Sequence, residues 1–445
     1  MNTFFSIIIP VYNSQKNFAS CLKSALDQDF KNYEILIVDD ASTDKSINIC
    51  NKYKLISSKI RIIRNVKNLG VSLSRNKGII KSKGRYIIFL DSDDILYRNC
   101  LKDLYKHILK IKSNIIILKH NELKNTFEKK STIPIAQIEG VLQNTFQKNK
   151  KIKPFQLVGN FDLFNPLCWN FALKKKFIIK NKIFFDDIRV HEDHIFVSRI
   201  FYTREKASNP GIITHGRRST GLQSLGRTIG FVVCISCIKS LIAYIKDYQN
   251  LSLEKKEHNF FISKIDFFIE KFFLNFSICS KNNLSKIFKY IKRNNPHLSL
   301  SLNKLGFNIK LFEQKNLNLR SWHNLQKKFL MKLNHDLEIV KLNKINIFCA
   351  SAYSKICINL LKKNVKIKIK KVFDNNVDFQ NQNIEKFKIN SPKKNNANIN
   401  KNTYFLICNT NNIDFQNIKK QLIKLKIKKN KIIKFDILKY YDFLY

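Results

Sequence analysis

The first ninety residues contain four apolar runs, at 4–11, 33–38, 60–63 and 86–90. Each run suits a buried strand and is followed by polar residues, which is typical of a strand that enters a turn. Between the runs, stretches at about 17–28 and 70–82 carry apolar residues at helical spacing. Strands and helices that alternate with short loops predict an α/β domain built on a doubly wound, mostly parallel sheet.

Carboxylates follow directly on two of these predicted strands. Asp39 and Asp40 close the second strand, and Asp91, Asp93 and Asp94 close the fourth. The carboxyl ends of parallel strands meet at one edge of an open α/β sheet, where ligands bind. Closely spaced carboxylates suit a hard divalent cation that also holds phosphates. The alternative is an acidic turn that precedes a helix, because the first helical turn favours Asp.

Five segments resemble, in order and spacing, the family 2 glycosyltransferases of the GT-A fold. They are Ile-Pro-Val-Tyr-Asn at 9–13, Val-Asp-Asp-Ala-Ser-Thr-Asp at 38–44, Asn-Leu-Gly at 68–70, Arg-Asn at 75–76 and Leu-Asp-Ser-Asp-Asp at 90–94. The resemblance covers about the first 220 residues. It implies a GT-A fold, a nucleotide-diphosphate sugar as donor, and Mn²⁺ or Mg²⁺ as cofactor.

The resemblance also implies a nucleotide-binding set, namely Pro10, Tyr12, Asn13, Asp39, Asp40, Arg75, Asp91 and Ser92. Tyr12 is expected against the face of uracil, because an aromatic ring suits a flat base. Asp40 would accept a hydrogen bond from the uracil N–H, and Asp39 would support the ribose or the adjoining loop. Arg75 would lie near the nucleotide or the diphosphate. The alternatives are simple turn packing for Tyr12 and a helix-surface charge for Arg75.

The resemblance makes Asp91 and Asp93 the metal-binding DxD element, with Asp93 in direct contact with Mn²⁺ or Mg²⁺ and Asp94 as a further candidate. The cation would bridge the two phosphates and offset the charge of the departing nucleotide diphosphate. His215 and Arg218 are candidate diphosphate contacts, since the family often has a basic, hydroxylic stretch at this point. On a chain with 81 Lys and Arg against 33 Asp and Glu, a surface charge is the alternative.

An acid pair about 100 residues after the DxD element resembles the acceptor-side motif of the family. Glu192 and Asp193 precede an apolar helical face. A positioned carboxylate that takes the proton of an acceptor hydroxyl typically contributes about 10²–10⁴ in rate. Asp193 is the predicted base and Glu192 the second candidate. His191 and His194 flank the pair, so a zinc site is an alternative, and a solvated helix start is another.

The rest of the chain predicts further structure. From about residue 223 long helices rich in Phe and Lys follow, with an apolar stripe at Phe260, Phe261, Ile265, Phe268, Ile269, Phe272 and Phe273. The stripe predicts packed core, with a membrane-binding face as the alternative.

The last hundred residues resemble the small Rossmann-like domains attached to some bacterial sugar enzymes. Because the turn at 350–353 has no glycine, we expect no dinucleotide there. The predicted domains are 1–222, 223–343 and 344–445.

Cysteine usage and charge bear on location and partners. The ten cysteines show no disulfide spacing, and the sequence begins with a predicted strand in place of a signal peptide, which predicts a reducing cytoplasm. Cys234 and Cys237 form a CxxC inside an apolar run and are expected to be buried thiols. The net charge of +48 favours peripheral contact with an anionic membrane at the inner face of the cytoplasmic membrane. No nucleic-acid partner is expected.

The sequence and its resemblance to family 2 therefore predict a metal-dependent glycosyltransferase, and the resemblance implies that the anomeric configuration is inverted. It would move a hexose or N-acetylhexosamine from a nucleotide-diphosphate sugar, expected to be UDP-linked, to a glycan or lipid-linked glycan. The acceptor would be a hydroxyl of a bacterial surface glycan such as lipooligosaccharide or capsule. One alternative is transfer to a polyol-phosphate polymer. A second, from another class, is a non-enzymatic basic protein that binds polyanions, suggested by the pI of 9.9.

Overall fold

A computed structural model gives the architecture of the chain. It describes residues 3–123, 151–152, 167–218, 228–276, 278–294, 298–305, 324, 331, 344–348, 352–364, 368–375, 382–392, 403–408 and 412–434. The chain divides into two compact units, Met1–Ser219 with Leu251–Phe260, and Thr220–Asn250 with Phe261–Tyr445. The boundaries predicted from the sequence, after residues 222 and 343, fall outside the described residues, and the three-domain division stays a prediction.

Strands and helices alternate along the first unit. They are β1 (Phe5–Val11), α1 (Phe18–Leu26), β2 (Tyr33–Asp39), α2 (Ser46–Ile56), β3 (Ile60–Arg64), α3 (Val71–Lys81), β4 (Tyr86–Phe89), β5 (Ile95–Leu96), α4 (Cys100–Ile111), β6 (Ile115–Ile117), β7 (Lys119–Leu123), β8 (Lys151–Ile152), β9 (Phe171–Lys174), α5 (Lys175–Lys180), α6 (Glu192–Tyr202), β10 (Ala207–Ser208) and β11 (Ile213–Arg218). A 3₁₀ turn, Cys168–Asn170, precedes β9.

The central sheet of this unit has, among the described residues, eight strands in the order β3-β2-β1-β4-β9-β6-β10-β8. β1 pairs in parallel with β2 and β4, and β2 pairs in parallel with β3. β9 runs antiparallel to both β4 and β6. The predicted α/β class, with a mostly parallel sheet around β1, is confirmed.

Both faces of the sheet are covered, which explains the continuous apolar runs. All seven residues of β1 and all seven of β2 are buried, as in other parallel sheets with helices on both sides. Side chains alternate between the faces. Phe5, Ile7 and Ile9 join one core cluster with residues of α1, and Ile8 joins the other cluster with Ile79 of α3.

A second, three-stranded sheet lies beside the carboxyl end of β4. Its order is β5-β11-β7, and β11 pairs antiparallel with β5 through His215–Leu96 and Gly216–Ile95. Because β5 begins directly after Asp94, this pairing brings β11 next to Asp91–Asp94. The loops after β1, β2 and β4 and the end of β11 therefore surround one edge of the central sheet.

The second unit contains helices followed by another sheet. Its elements are α7 (Phe231–Gln249), most of α8 (Lys255–Phe276), α9 (Lys281–Asn294), α10 (Leu298–Asn303), β12 (Lys344–Phe348), α11 (Ala352–Asn364), β13 (Lys368–Phe373), β14 (Asn383–Ile384), β15 (Phe387–Asn390), β16 (Tyr404–Ile407), α12 (Asn412–Lys424) and β17 (Ile432–Lys434). The sheet order among described residues is β14-β15-β13-β12-β16-β17. The five neighbouring strands β15, β13, β12, β16 and β17 of this sheet pair in parallel. A Rossmann-like identity for this part stays a prediction, and Ala350 and Ser351 of its first turn lie outside the described residues.

Two predictions for the helical region are confirmed. Every member of the apolar stripe from Phe260 to Phe273 is at most 1% exposed, so the stripe is core. Cys234 and Cys237 are buried free thiols in α7. Among the described helices, none combines the length and the apolarity that a membrane span requires.

Candidate functional site

The loop after β1 connects the loops after β2 and β4. Asn13 has a left-handed backbone, with φ of 48°, and its Oδ1 accepts hydrogen bonds from the N–H groups of Thr43, at 2.9 Å, and Asp44, at 3.3 Å. Ser14 Oγ lies 2.7 Å from Ser92 Oγ in the acidic turn. Tyr12, between the buried strand and this junction, is 49% exposed. The exposed phenol ring therefore lies at the edge where the predicted donor-side residues converge.

Two of the predicted nucleotide-binding residues, Pro10 and Asp39, are turned into the protein. Pro10 is buried within β1. Asp39 is fully buried, accepts a hydrogen bond from Ser42 N–H at 3.2 Å and pairs with Arg64 Nε at 3.2 Å. The burial of Pro10 and the contacts of Asp39 give these residues a structural role near the ends of β1 and β2. Direct contact of their side chains with a nucleotide stays a prediction.

Asp40 holds the loop that leads into α3. Its Oδ1 accepts hydrogen bonds from Asn65 Nδ2 at 2.7 Å and from Leu69 N–H at 2.8 Å, and its Oδ2 accepts one from Gly70 N–H at 2.8 Å. Only 3% of the residue is exposed. The expected hydrogen bond from a uracil N–H would have to share oxygens that already serve the 65–70 loop.

Asp91, Asp93 and Asp94 form a cluster, the acidic triad, after β4. One carboxylate oxygen from each lies within 4.8 Å of the others. Burial, followed by the charge of Asp91, raises the pKa of Asp93 to about 6. Burial, followed by the charges of Asp91 and Asp93, raises the pKa of Asp94 to about 8. Three carboxylate groups that offer oxygen ligands so close together fit a hard divalent cation, so the donor set suits Mn²⁺ or Mg²⁺.

The two candidate diphosphate contacts on β11 have different surroundings. Arg218 donates its backbone N–H to Asp94 Oδ1 at 2.8 Å and its Nη1 to Asn17 Oδ1 at 3.2 Å. The Arg218 side chain is only partly buried. This places a cation directly beside the acidic triad, where an anionic group of a ligand would meet it.

His215 does not have the exposed geometry that a phosphate contact requires. It is 1% exposed, its Nε2 lies 3.1 Å from the Phe89 carbonyl oxygen, and its Nδ1 lies 2.7 Å from Thr214 Oγ1. Burial lowers the pKa of His215 to about 4, so the ring is neutral at pH 7. The predicted diphosphate contact is therefore corrected to an internal role: the ring supports the end of β4 that precedes the acidic triad.

Glu192 and Asp193 open α6. Their side chains are 10% and 14% exposed. Burial raises the pKa of Asp193 to about 7, with the Arg75 cation opposing the shift and the charges of Glu192 and Asp91 adding to it. The neighbouring buried Cys168 thiol opposes this rise in the pKa of Asp193. A carboxylate whose pKa lies near neutrality can take a proton as a general base at physiological pH.

Arg75 joins the acid pair to the acidic triad. Its Nη1 lies 2.7 Å from Glu192 Oε1 and 3.3 Å from Asp193 Oδ1, and its Nη2 lies 2.8 Å from Asp91 Oδ1. The guanidinium is 3% exposed, which excludes the alternative of a helix-surface charge. The structure thus brings together the donor-side and acceptor-side acids predicted from separate segments. Sequence reasoning missed Cys168, Asn65 and the bridging role of Arg75, and none of them has a signal in spacing alone.

Among the described residues, His191 and His194 belong to no group of side chains close enough to hold a zinc ion. The rings of His191 and His194 have centroids 5.6 Å apart, perpendicular to each other. Across the described part of the chain, the acidic triad is the group of three or more His, Cys, Asp or Glu whose ligand atoms come close enough to hold an ion. A metal site is therefore better supported at the triad than at α6.

Comparisons with known proteins agree with this geometry. Residues 6–178 match the family model described as glycosyl transferase family 2. Over 205 residues, 46% of this chain and 56% of the relative, the sequence is 31% identical to the cholesterol galactosyltransferase of Borreliella burgdorferi. Over 197 residues, 43% of this chain and 55% of the relative, it is 33% identical to the poly(ribitol-phosphate) beta-N-acetylglucosaminyltransferase TarP of Staphylococcus aureus. The matched part thus spans about half the length of these two relatives.

The fold also resembles a solved structure. The crystal structure of S. aureus TarS 1-349 in complex with UDP superposes with a TM-score of 0.50 at 17% sequence identity. The superposition covers 75% of this chain and 93% of that chain. At this identity the similarity concerns the fold.

Proposed function

Residues 6–178 of this chain form a domain of glycosyl transferase family 2, and on that premise we propose that the protein transfers a hexose or N-acetylhexosamine from a nucleotide-diphosphate sugar to a hydroxyl. The observation that carries the proposal is the acidic triad at the carboxyl edge of the sheet. Arg218 lies beside it, and its turn contacts Ser14, two residues after the exposed Tyr12, through Ser92. A ring for a flat base, a cation site for two phosphates and a basic group are the chemistry that a nucleotide diphosphate requires.

The donor nucleotide is proposed to be uridine diphosphate. TarS, which shares the fold, is described as a complex with UDP. Tyr12 would stack on the base, and Asn13, Asp39, Asp40 and the 65–70 loop would form the rim around base and ribose. Pro10 would act through the shape of β1, since it is buried in the strand. Ser92 would hold the loop after β1 against the acidic turn through Ser14.

The acidic triad is proposed to hold Mn²⁺ or Mg²⁺. Asp91 and Asp93 would be ligands, and Asp94 lies close enough to be a third. When bound, such a cation neutralises charge that develops on the departing nucleotide diphosphate. Arg218 would add a positive charge on the same side. The raised pKa values of Asp93 and Asp94 support the proposal, because a divalent cation would remove the mutual repulsion of these carboxylates.

Asp193 is proposed to accept the proton of the acceptor hydroxyl. As the acceptor oxygen bonds to the anomeric carbon, the bond from that carbon to the diphosphate oxygen breaks, and the hydroxyl proton moves to Asp193. A single in-line displacement of this kind inverts the anomeric configuration. Glu192 is the second candidate base, and its contact with Arg75 favours an orienting role.

The acceptor is proposed to be a bacterial surface glycan or its lipid-linked precursor, such as lipooligosaccharide or capsule. A polyol-phosphate polymer is the second candidate, because TarP acts by name on poly(ribitol-phosphate). The net charge of +48 suits either an anionic polymer or an anionic membrane surface. The cysteines within the described residues are free and buried, which supports a reducing cytoplasm at the inner face of the membrane as the place of reaction.

A donor screen tests the proposal. UDP-linked and GDP-linked sugars are incubated with the protein and Mn²⁺, and release of nucleotide diphosphate is measured for wild type, Asp93→Ala and Asp193→Asn. Asp29→Ala, which removes a surface ion pair with Lys102, is the matched control. We expect one preferred donor, loss of its turnover in Asp93→Ala and Asp193→Asn, and normal turnover in the control.

The polyanion-binding alternative gives a different outcome in the same screen. It predicts no metal-dependent release from any donor, together with tight binding of a polyanion such as heparin by wild type and by Asp93→Ala alike. That combination would overturn the proposed function.

A further inference from the structure

Three side chains on one face of α3 hold the segment that leads to the acid pair. Ser72 Oγ donates a hydrogen bond of 2.6 Å to the Ile188 carbonyl oxygen. Asn76 donates from Nδ2 to the Phe185 carbonyl oxygen at 2.8 Å and accepts from the Phe185 N–H at 2.9 Å. Arg75 lies between them in sequence. Positions 72, 75 and 76 share one helical face, so α3 binds this segment as a unit.

The Arg75 guanidinium is enclosed by protein groups. Nη1 donates to Glu192 at 2.7 Å and to Asp193 at 3.3 Å, and Nη2 donates to Asp91 at 2.8 Å. The Phe185 ring centroid lies 5.3 Å from the guanidinium carbon. Nε is buried and has no hydrogen-bond partner, so this nitrogen does not face solvent either.

This enclosure separates two roles for Arg75. A contact with the donor's diphosphate would need an N–H group that points into the cleft, whereas the recorded hydrogen bonds of Nη1 and Nη2 run to carboxylates. A positioning role needs a rigid group that touches both acid clusters at once. A planar guanidinium, which donates in a fixed fork, meets that need better than an ammonium group.

We propose that Arg75 is a positioning residue, which fixes the Glu192–Asp193 pair relative to Asp91 and does not bind the donor's diphosphate. The inference rests on the proposed function, in which Asp193 takes the acceptor proton and Asp91 belongs to the metal site. Arg75 then sets the distance between the base and the anomeric carbon. A misplacement of about 1 Å at such a site can cost about 10²-fold in rate.

The test separates donor binding from turnover. Affinity for UDP in the presence of Mn²⁺ is measured by calorimetry, and kcat and KM are measured for hydrolysis of the donor preferred by wild type. For Arg75→Lys we expect kcat to fall about 10- to 100-fold, with UDP affinity and donor KM within about threefold of wild type. Arg61→Lys is the matched control, because Arg61 pairs with the buried Glu34 elsewhere on the same sheet, and it should match wild type in both measurements.

A double-mutant cycle with Glu192→Gln adds a measurement that a general loss of structure would not reproduce. When two residues act through the same contact, the effects of their substitutions do not add. We expect Arg75→Lys combined with Glu192→Gln to have a kcat within about threefold of Arg75→Lys alone. If the Arg75→Lys variant does not fold, Arg75→Gln, which keeps a planar donor, takes its place, and the same role predicts a lowered kcat with unchanged UDP affinity.

Three results would overturn the inference, and they differ from failure of the proposed function. One is a loss of UDP affinity in Arg75→Lys of tenfold or more with unchanged uridine affinity, which would make Arg75 a diphosphate contact. Another is a normal kcat in that variant. The third is full additivity with Glu192→Gln. If wild type itself neither binds UDP with Mn²⁺ nor hydrolyses any donor, the proposed function fails and this inference with it.

Discussion

Asp94 Oδ1 accepts a 2.8 Å hydrogen bond from the backbone N–H of Arg218, which ties the acidic triad to β11. The same carboxyl group has its pKa raised to about 8 by burial and by the charges of Asp91 and Asp93. One contact stabilises the Asp94 carboxyl group at this position, while the neighbouring acids make its charged form unfavourable. The stability of the metal-free protein should therefore depend on pH at this residue.

Asp94→Asn should stabilise the metal-free protein at alkaline pH. A carboxyl pKa that is raised on folding favours the folded state at low pH, and that contribution is lost as pH rises from about 4 to about 8. Asparagine keeps an acceptor for Arg218 N–H without the charge. In EDTA at pH 8 we expect a gain of roughly 1–3 kcal/mol that vanishes near pH 4. Urea unfolding across this pH range measures it, and a gain that is independent of pH would contradict the explanation.

Asp40→Ala should destabilise the fold. The substitution removes the acceptor of the partly buried Leu69 and Gly70 N–H groups and one of the two acceptors of the buried Asn65 Nδ2. Each such donor costs about 1–3 kcal/mol when unsatisfied, and partial relaxation leaves an expected loss of about 3 kcal/mol. Denaturant unfolding checks the value. Asp29→Ala, which breaks a surface pair, should change stability by less than about 1 kcal/mol, and an equal loss in both variants would contradict the role of Asp40.

Gly84→Ala should be more harmful than Gly211→Ala, for different reasons. A Cβ at Gly84 would lie 2.4 Å from Ser6 N and 2.6 Å from the Phe5 carbonyl carbon, both in the backbone of β1. That overlap cannot relax by a rotamer change, so we expect a loss of about 3 kcal/mol or more. Gly211 has open space but a φ of +70°, for which alanine costs about 1 kcal/mol. The reverse ranking of unfolding free energies would show that β1 does not pass this closely.

His215→Gln should make the free energy of unfolding depend less on pH in the acidic range. Because burial lowers the pKa of His215 to about 4, its stabilising contribution is complete above about pH 6.5 and is lost as pH falls from there towards 4. The variant should lose roughly 1–3 kcal/mol at pH 7 through its broken internal hydrogen bonds. Its stability should also fall less steeply than that of wild type between pH 6.5 and 4. A parallel pH dependence would mean that His215 is already exposed to protonation.

Much of this fold could be predicted from the sequence, because local pattern carries it. The apolar runs at β1, β2, β3 and β4 and the polar residues that follow them are local features, and the structure begins or ends each strand within about two residues of the predicted bounds. The convergence of acids at one sheet edge follows from parallel strand order. That order, in turn, follows from the alternation of strands and short helices.

The roles within the site could not be predicted, because they depend on contacts between distant segments. Arg75 and Glu192 are 117 residues apart in sequence, and no local pattern of residues predicts their contact. Asp40 and His215 have the residue types of ligand contacts, yet their polar atoms are used inside the protein. Residue type tells what a side chain can donate or accept, and only its surroundings tell which partner it has.

The central claim is that a nucleotide diphosphate binds through a divalent cation held by the acidic triad. Calorimetric titration of UDP into wild type and Asp93→Ala, each in Mn²⁺ and in EDTA, measures this most directly. We predict micromolar or tighter binding for wild type in Mn²⁺, and at least about tenfold weaker binding in EDTA or in the variant, equivalent to about 1.4 kcal/mol. Equal affinity in all four titrations, or no binding in any, would contradict the claim.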